Sequence, residues 1–117
     1  GANRAMETHL PLETDVLEVA EKIRRQDSFL LLDVREQVEY ATARIESSRL
    51  IPMSELGERI EELEPHRGDL IVVYCHHGVR SLQVTQALRG AGFANVQSMA
   101  GGIDRWSLQV DGSVRRY

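Results

Sequence analysis

Two uninterrupted apolar runs organise the sequence: FLLL at residues 29–32 and LIVVYC at residues 70–75. Neither alternates apolar with polar positions, so each reads as a strand buried on both faces, the pattern of a parallel sheet covered by helices. The second run is the clearest strand in the chain, because apolar and β-branched residues continue without a break to Cys75. Shorter strands are expected in SSRLIP, ending at Pro52, and in NVQSM, residues 95–99.

Between these runs the spacing changes to that of helices. Val16, Ala20 and Ile23 fall at i, i+4 and i+7, which predicts a helix capped by Thr14 or Asp15 and running to Gln26. Leu56, Ile60 and Leu63 repeat that stripe in a helix expected to begin at Ser54 and to stop at Pro65 and Gly68. A short helix is expected over residues 36–42. VRSLQVTQALRGAGF reads as a longer one, with Leu82, Val84, Ala87 and Leu88 toward the core and Gly90 and Gly92 marking its end. The last helix is expected in IDRWSLQ, after a turn at AGG. Strands that alternate with helices predict an α/β domain with a mainly parallel central sheet and helices on both faces.

The 117 residues suit one domain, assigned to residues 10–117, with residues 1–9 set aside as an N-terminal tail or expression remnant. No apolar run approaches the roughly 18 residues of a membrane span, and the N-terminus lacks the charged-then-apolar pattern of a secretory signal. Net charge is -4 and the pI is about 5.5, so bulk charge recruits no nucleic acid. The acidic run ELGERIEELE reads as a solvated helix face rather than a partner-binding patch. One cysteine excludes an internal disulfide and a four-cysteine zinc site, and a lone thiol suits a reducing cytoplasm.

That cysteine closes the central strand, and ligand sites of open parallel sheets lie beyond the carboxyl ends of strands. Backbone N–H groups of the following loop and first helical turn would point at its sulfur and favour the thiolate. Gly78 permits a tight turn there, and Arg80 brings a planar fork of donors suited to sulfonate, phosphate or carboxylate oxygens. Taken alone, a cysteine at a strand end is usually a small buried hydrophobe. The glycine and arginine at fixed offsets between a strand and a helix argue instead for an anion bound at, or attached to, Cys75. His76 and His77 are neighbours on one tight loop and cannot both align as a base; they are assigned to the rim, lending backbone amides. Too few further ligands remain for a metal site. Cysteine phosphatases use a C-x5-R loop, whereas Cys75 to Arg80 is C-x4-R, a smaller cradle that favours persulfide chemistry over phosphate hydrolysis.

With these features the chain resembles the rhodanese family of sulfurtransferases from about Leu10 onward. CHHGVRS is similar to the family's C-x-x-G-x-R active loop, LLDVREQVEYATARI to its Asp-x-Arg and Glu-Tyr signature, and MAGGIDRW to its closing Gly-Gly-x-x-x-Trp signature. The ending also resembles small stand-alone rhodaneses and the rhodanese domain of adenylyltransferase fusions. The resemblance implies a rhodanese-like three-layer domain and a Cys75 persulfide that takes sulfane sulfur from thiosulfate or a protein persulfide. It implies an active loop of His76, His77, Gly78, Val79 and Arg80, with Arg80 and a protonated His76 or His77 holding the donor's anionic part. Asp33 is expected to brace this loop by accepting hydrogen bonds from Arg80 or the loop amides, with Arg35 and Ser81 in support. Gly101 and Gly102 are expected to permit a close-packed turn and Trp106 to anchor the last helix; Tyr40 is left between a site role and a packing role. No cofactor is implied. A cysteine desulfurase or a sulfur-carrier protein is the implied macromolecular partner. The chain departs from the family's Gly-His-Ile-Pro-Gly at Ala43, Arg44, Glu46 and Ser47, which puts contacts of that turn in question. A phosphatase or arsenate-reductase-like enzyme and a non-catalytic binding module are the competing readings.

Overall fold

A computed structural model describes residues 10–117; the tail assigned to residues 1–9 lies outside the described residues. The elements in chain order are β1 (Glu13–Thr14), α1 (Val16–Arg24), β2 (Leu30–Asp33), α2 (Gln37–Thr42), β3 (Arg49–Leu50), α3 (Leu56–Arg59), β4 (Ile71–Tyr74), α4 (Val79–Gly90), β5 (Val96–Met99) and α5 (Gly102–Gln109). The five strands form one sheet in the order β1-β5-β4-β2-β3, and every pairing is parallel. No helix among the described residues is long and apolar enough to cross a membrane.

The unbroken apolar runs become the two central strands, β4 and β2, because only a strand covered on both faces can bury every side chain. Along β4, Ile71, Val73 and Cys75 turn to one face and pack with Leu32, Leu56, Leu63, Val84, Leu88 and Phe93. Val72 and Tyr74 turn to the other, where Val16, Val19, Ile103 and Trp106 meet them. Helices therefore cover the sheet on both sides, giving three layers.

Local chemistry sets the element ends. Asp15 caps α1, its Oδ1 accepting from the Glu18 amide at 2.8 Å. Thr14, the alternative cap, instead belongs to the two-residue strand β1 and pairs with Met99. α1 stops at Arg24, short of Gln26, whose φ of 60° is left-handed and cannot continue the helix. The helix expected from Ser54 is broken up: a 3-10 turn at Met53–Glu55, one turn of α3, then a 3-10 stretch over Ile60–His66 that contains Pro65. Pro65 lacks an amide proton, and its ring would clash with the carbonyl four residues back, so an α-helix cannot run through it. Leu56 and Leu63 still reach the core.

On α4 the inward face is Ser81, Val84, Thr85 and Leu88, at helical spacing. Leu82 is only half-buried and Ala87 is exposed, contrary to expectation. The inward stripe starts with a serine because this end of the helix faces a polar site rather than the core.

The carboxyl ends of β2, β4 and β5 lie side by side, with Asp33 opposite Tyr74 and Val73 opposite Ser98. α5 closes over that edge. Its Ile103 amide donates to the Cys75 carbonyl at 2.9 Å and its Asp104 amide to the His76 carbonyl at 3.1 Å. This approach requires Gly102: its φ is +59°, and a Cβ there would lie 2.4 Å from the His76 carbonyl oxygen and 2.5 Å from that of Cys75. Both obstacles are backbone, so neither can swing aside. Gly102→Ala is expected to destabilise the domain by about 2 kcal/mol or more, through left-handed strain plus the clash. Gly112→Ala, where nothing lies within 4 Å, serves as the near-neutral control. Urea unfolding followed by Trp106 fluorescence measures both.

Candidate active site

Cys75 follows β4 and is 1% exposed. Its Sγ accepts hydrogen bonds from the backbone amides of Gly78 at 3.1 Å and Ser81 at 3.3 Å. Gly78 makes this possible with φ at 108°, curling the chain so that its amide faces back to the sulfur while its carbonyl receives the Leu82 amide of α4. The sulfur thus sits at the amino end of α4, where unpaired amides and the helix dipole favour negative charge. No hydrogen bond joins the amides of His76 or His77 to the sulfur; what these two residues supply is their carbonyl and ring surfaces.

Ser81 closes the inner wall. Its hydroxyl lies 3.4 Å from Sγ, donates to the Gly78 carbonyl at 3.2 Å and lies 2.7 Å from the Ser98 hydroxyl. As a thiol, Cys75 donates to Ser81 Oγ; as a thiolate, it can receive that hydroxyl's proton in return, because a serine rotor serves as donor or acceptor.

Arg80 does not lie free over the sulfur. It makes a two-pronged pair with Glu39 of α2, Nη1 to Oε1 at 2.7 Å and Nη2 to Oε2 at 3.0 Å. Glu39 in turn receives the Glu36 amide at 2.9 Å, half of a capping box at the start of α2. The Arg80 guanidinium pulls the Glu39 carboxyl down to about 2, against the opposing effect of burial, with the Glu36 amide and the Tyr117 hydroxyl assisting.

Asp33 is bonded neither to Arg80 nor to the loop amides, as expected of it, but to Arg35. Its Oδ1 accepts from the Arg35 backbone amide and Nε, both at 3.0 Å, and its Oδ2 from Nη2 at 2.7 Å. The partners lie two positions apart on the turn leaving β2, which brings the guanidinium onto the carboxylate without a reach to the loop. Both side chains are fully buried. Burial alone would lower the Arg35 pKa, but the bonds to Asp33 and Tyr117 outweigh it and hold the group charged. The remaining Arg35 donors go to the carbonyls of Ala43 at 2.6 Å and Glu39 at 3.2 Å, and to the Tyr117 hydroxyl at 2.9 Å.

His76 stacks on Tyr117, with ring centroids 3.9 Å apart and planes at 8°, and meets His77 at 3.9 Å with the planes tilted by 32°. Burial first, and then the neighbouring His77, push its pKa below the ordinary 6.5. This lowering works against His76 as the protonated member of the expected His76-or-His77 pair beside Arg80. His77 is exposed, with Nδ1 4.0 Å from Asp104. Val79 begins α4 and points outward, 69% exposed.

The departures at residues 43–47 leave this geometry intact. Ala43 has an extended φ of -161°, open to any residue, and its carbonyl is the one Arg35 holds. Arg44 turns away to lie over the Tyr40 ring at 4.9 Å. Tyr40, Arg44 and the buried Trp106 line a separate groove of about 520 Å³ that does not include the Cys75 loop. Among the described residues no cluster of three or more His, Cys, Asp or Glu is arranged to hold a metal ion.

Residues 15–109 match the family described as "Rhodanese-like domain". The chain belongs to this rhodanese-like family. A thiosulfate sulfurtransferase GlpE of Coxiella burnetii is 33% identical over 90 residues, covering 77% of this chain and 81% of its own length. The adenylyltransferase and sulfurtransferase MOCS3-2 of Zea mays is 39% identical over 87 residues, 70% of this chain. That match spans only 18% of the maize protein, so the chain corresponds to a small part of it. Among solved structures, a human single-domain sulfurtransferase superposes with a TM-score of 0.76 at 26% identity, covering 86% of this chain and 98% of the other. The family is thus one whose members include proteins named as sulfurtransferases.

Glu39, Ser98 and Tyr117 were not singled out as site residues by sequence reasoning. The Glu36-x-x-Glu39 spacing is a capping-box signature that could have placed Glu39 at the start of α2; no local pattern brings Ser98 or Tyr117 to the site.

The rhodanese loop is clasped to α2 by Glu39, and this has a pH consequence. A carboxyl depressed from 4.5 in the unfolded chain to about 2 in the fold contributes stability that is complete above roughly pH 5 and is lost as pH falls toward 2. Glu39→Gln is expected to lower the melting temperature at pH 7. The gap from the unmutated protein should narrow steadily between pH 5 and 2, read from thermal melts across that range.

Proposed function

We propose that this chain carries sulfane sulfur on Cys75 in a double displacement. The Cys75 thiolate attacks the outer sulfur of thiosulfate; the S–S bond of the donor breaks and sulfite leaves with the electron pair. Cys75 is left as a persulfide, Cys75–S–S⁻. An acceptor nucleophile, a thiolate or cyanide, then attacks the outer sulfur and returns the Cys75 thiolate. Charge balances at each step, no net oxidation occurs, and the cycle as written draws on no metal or organic cofactor. Ping-pong kinetics follow from the covalent intermediate.

The observation that carries this reading is the pair of neutral donors on Sγ, the Gly78 and Ser81 amides, beside a Ser81 hydroxyl that accepts from the thiol and whose rotor can turn to donate to a thiolate. Such dipoles stabilise a single negative charge on sulfur without reorganising as the charge moves between thiolate and persulfide. A phosphate dianion would call for a free guanidinium clamp, whereas Arg80 already spends both Nη atoms on Glu39. The names of the relatives support the donor class, thiosulfate for the Coxiella protein. For the macromolecular alternative, a cysteine desulfurase is the donor and a sulfur-carrier protein the acceptor. A lone thiol that must remain reduced between turnovers fits a cytoplasmic setting.

Incubation with thiosulfate followed by intact-mass measurement tests the proposal. The expected result is a gain of one sulfur atom, absent in Cys75→Ser and removed by cyanide. No adduct, together with turnover of a phosphate ester, would replace it with phosphatase chemistry. Absence of both, with capture of a partner that survives Cys75→Ser, would make the domain a binding module.

A further inference from the structure

Tyr117 comes to the site from far along the chain, its hydroxyl partners lying 82 and 78 positions away. The segment that delivers it is pinned at several points. After α5 the Asp111 amide bonds the Trp106 carbonyl at 3.0 Å, and the Asp111 carboxylate holds the Ser113 amide at 3.0 Å. The Ser107 hydroxyl donates to the Val114 carbonyl, and Arg116 pairs with Asp104 at 2.9 Å. Tyr117 then lands on the rim of the Cys75 loop. Its hydroxyl accepts from Arg35 Nη1 and donates to Glu39 Oε2, both at 2.9 Å, while its ring lies flat on His76. The ring lies on His76, the residue after Cys75, and the hydroxyl shares the Glu39 carboxylate with Arg80, which places Tyr117 at the rim of the Cys75 loop.

Cys75 is 1% exposed, yet a double displacement requires donor and acceptor to reach Sγ in turn. Something over the thiol must move. The loop itself is poorly suited to do so: α5 amides hold the Cys75 and His76 carbonyls, and Gly102 packs directly against them. Tyr117 is held by its stack on His76 and by its hydroxyl bonds to Arg35 and Glu39, and its outer side is open, the residue being 41% exposed. Its seated position also leaves His76 Nε2 buried with no hydrogen-bond partner, a deficit that lifting the ring would relieve.

We propose that Tyr117 is a gate over the Cys75 cradle. Seated, it occludes the thiol; lifted, it admits the substrate and uncovers the Arg35 Nη1 donor, so that an anionic oxygen of the sulfur donor takes the place of the phenol. The substrate half of this inference rests on the sulfur-transfer reading; the gating half does not. Arg35 is then a specificity element for anionic donors, hidden until the gate opens.

Alkylation of Cys75 by iodoacetamide, timed by intact mass, reads the gate without any sulfur transfer. Tyr117→Ala is expected to alkylate about tenfold faster or more, since it removes the stack and two hydrogen bonds to charged groups that hold the closed form. Tyr117→Phe keeps the ring and loses the hydroxyl, and should fall between the two. Far-UV circular dichroism and Trp106 emission confirm that each variant is folded at the assay temperature. An unchanged rate in Tyr117→Ala overturns the gate, as does an acceleration seen only where the variant has begun to unfold. If Tyr117→Ala accelerates alkylation but no variant ever gains sulfur from thiosulfate, the gate stands and the sulfur-transfer reading falls.

Discussion

Asp33 and Arg35 form the pair on which the rest of the site is hung. Two charges are removed from water at the end of β2, and such burial is tolerable only where geometry and additional hydrogen bonds repay the lost hydration. Here they do. The carboxylate receives Nε, Nη2 and the Arg35 backbone amide, and the guanidinium sends its remaining protons to the carbonyls of Ala43 and Glu39 and to Tyr117. Arg35 thereby ties together the end of a strand, both ends of α2 and the chain that returns after α5. Truncating one member of such a pair typically costs about 3–5 kcal/mol, because the other charge is left without a partner. A lysine could not replace the arginine, since only a planar fork reaches four partners from one fixed position.

From this pair the constraint passes outward to the Cys75 sulfur. Arg35 fixes the α2 backbone at the Glu39 carbonyl, the Glu39 side chain grips Arg80, and Arg80 lies in the first turn of α4, next to the Ser81 amide that faces Sγ. On the opposite side the amides of Ile103 and Asp104 take the carbonyls of Cys75 and His76. The loop is thus held through its carbonyls by one helix and through a side chain by another, while the Gly78 and Ser81 amides stay turned to sulfur. That division leaves the cradle's donors preorganised for charge on sulfur, which is where a preformed polar environment contributes most.

The sequence made the sheet legible because β4 and β2 up to Asp33 run apolar without alternation, and Cys75 was visible as the residue at the end of the stronger run. β1 was not: two residues, Glu13 and Thr14, carry no periodicity, and only the pairing with Ser98 and Met99 makes them a strand. The stripe of Leu56, Ile60 and Leu63 correctly marked an inward face but not the backbone, because Pro65 overrides the helical spacing from within. At the site, Gly78 and the Gly101–Gly102 turn could be read from glycine's freedom alone. The partner of Asp33 could not, since Arg80 and Arg35 were equally suitable by charge and only the two-residue reach along the chain distinguishes them. Tyr117 lay beyond any local rule, as its role depends on how the chain folds back after α5.

The shorter loop acquires a sharper physical meaning from Arg80. In a loop with one more residue, the arginine could curl back over the anion it serves. Here it starts α4, and its side chain is directed sideways to Glu39, where the carboxylate neutralises it. Charge stabilisation at Cys75 therefore falls to backbone amides and a hydroxyl, whose strength suits one negative charge rather than two. Burial pushes the His76 pKa below its ordinary value, and the Arg80 charge is met by Glu39, so the groups bonded to Sγ itself are neutral. A persulfide monoanion needs no unpaired cation.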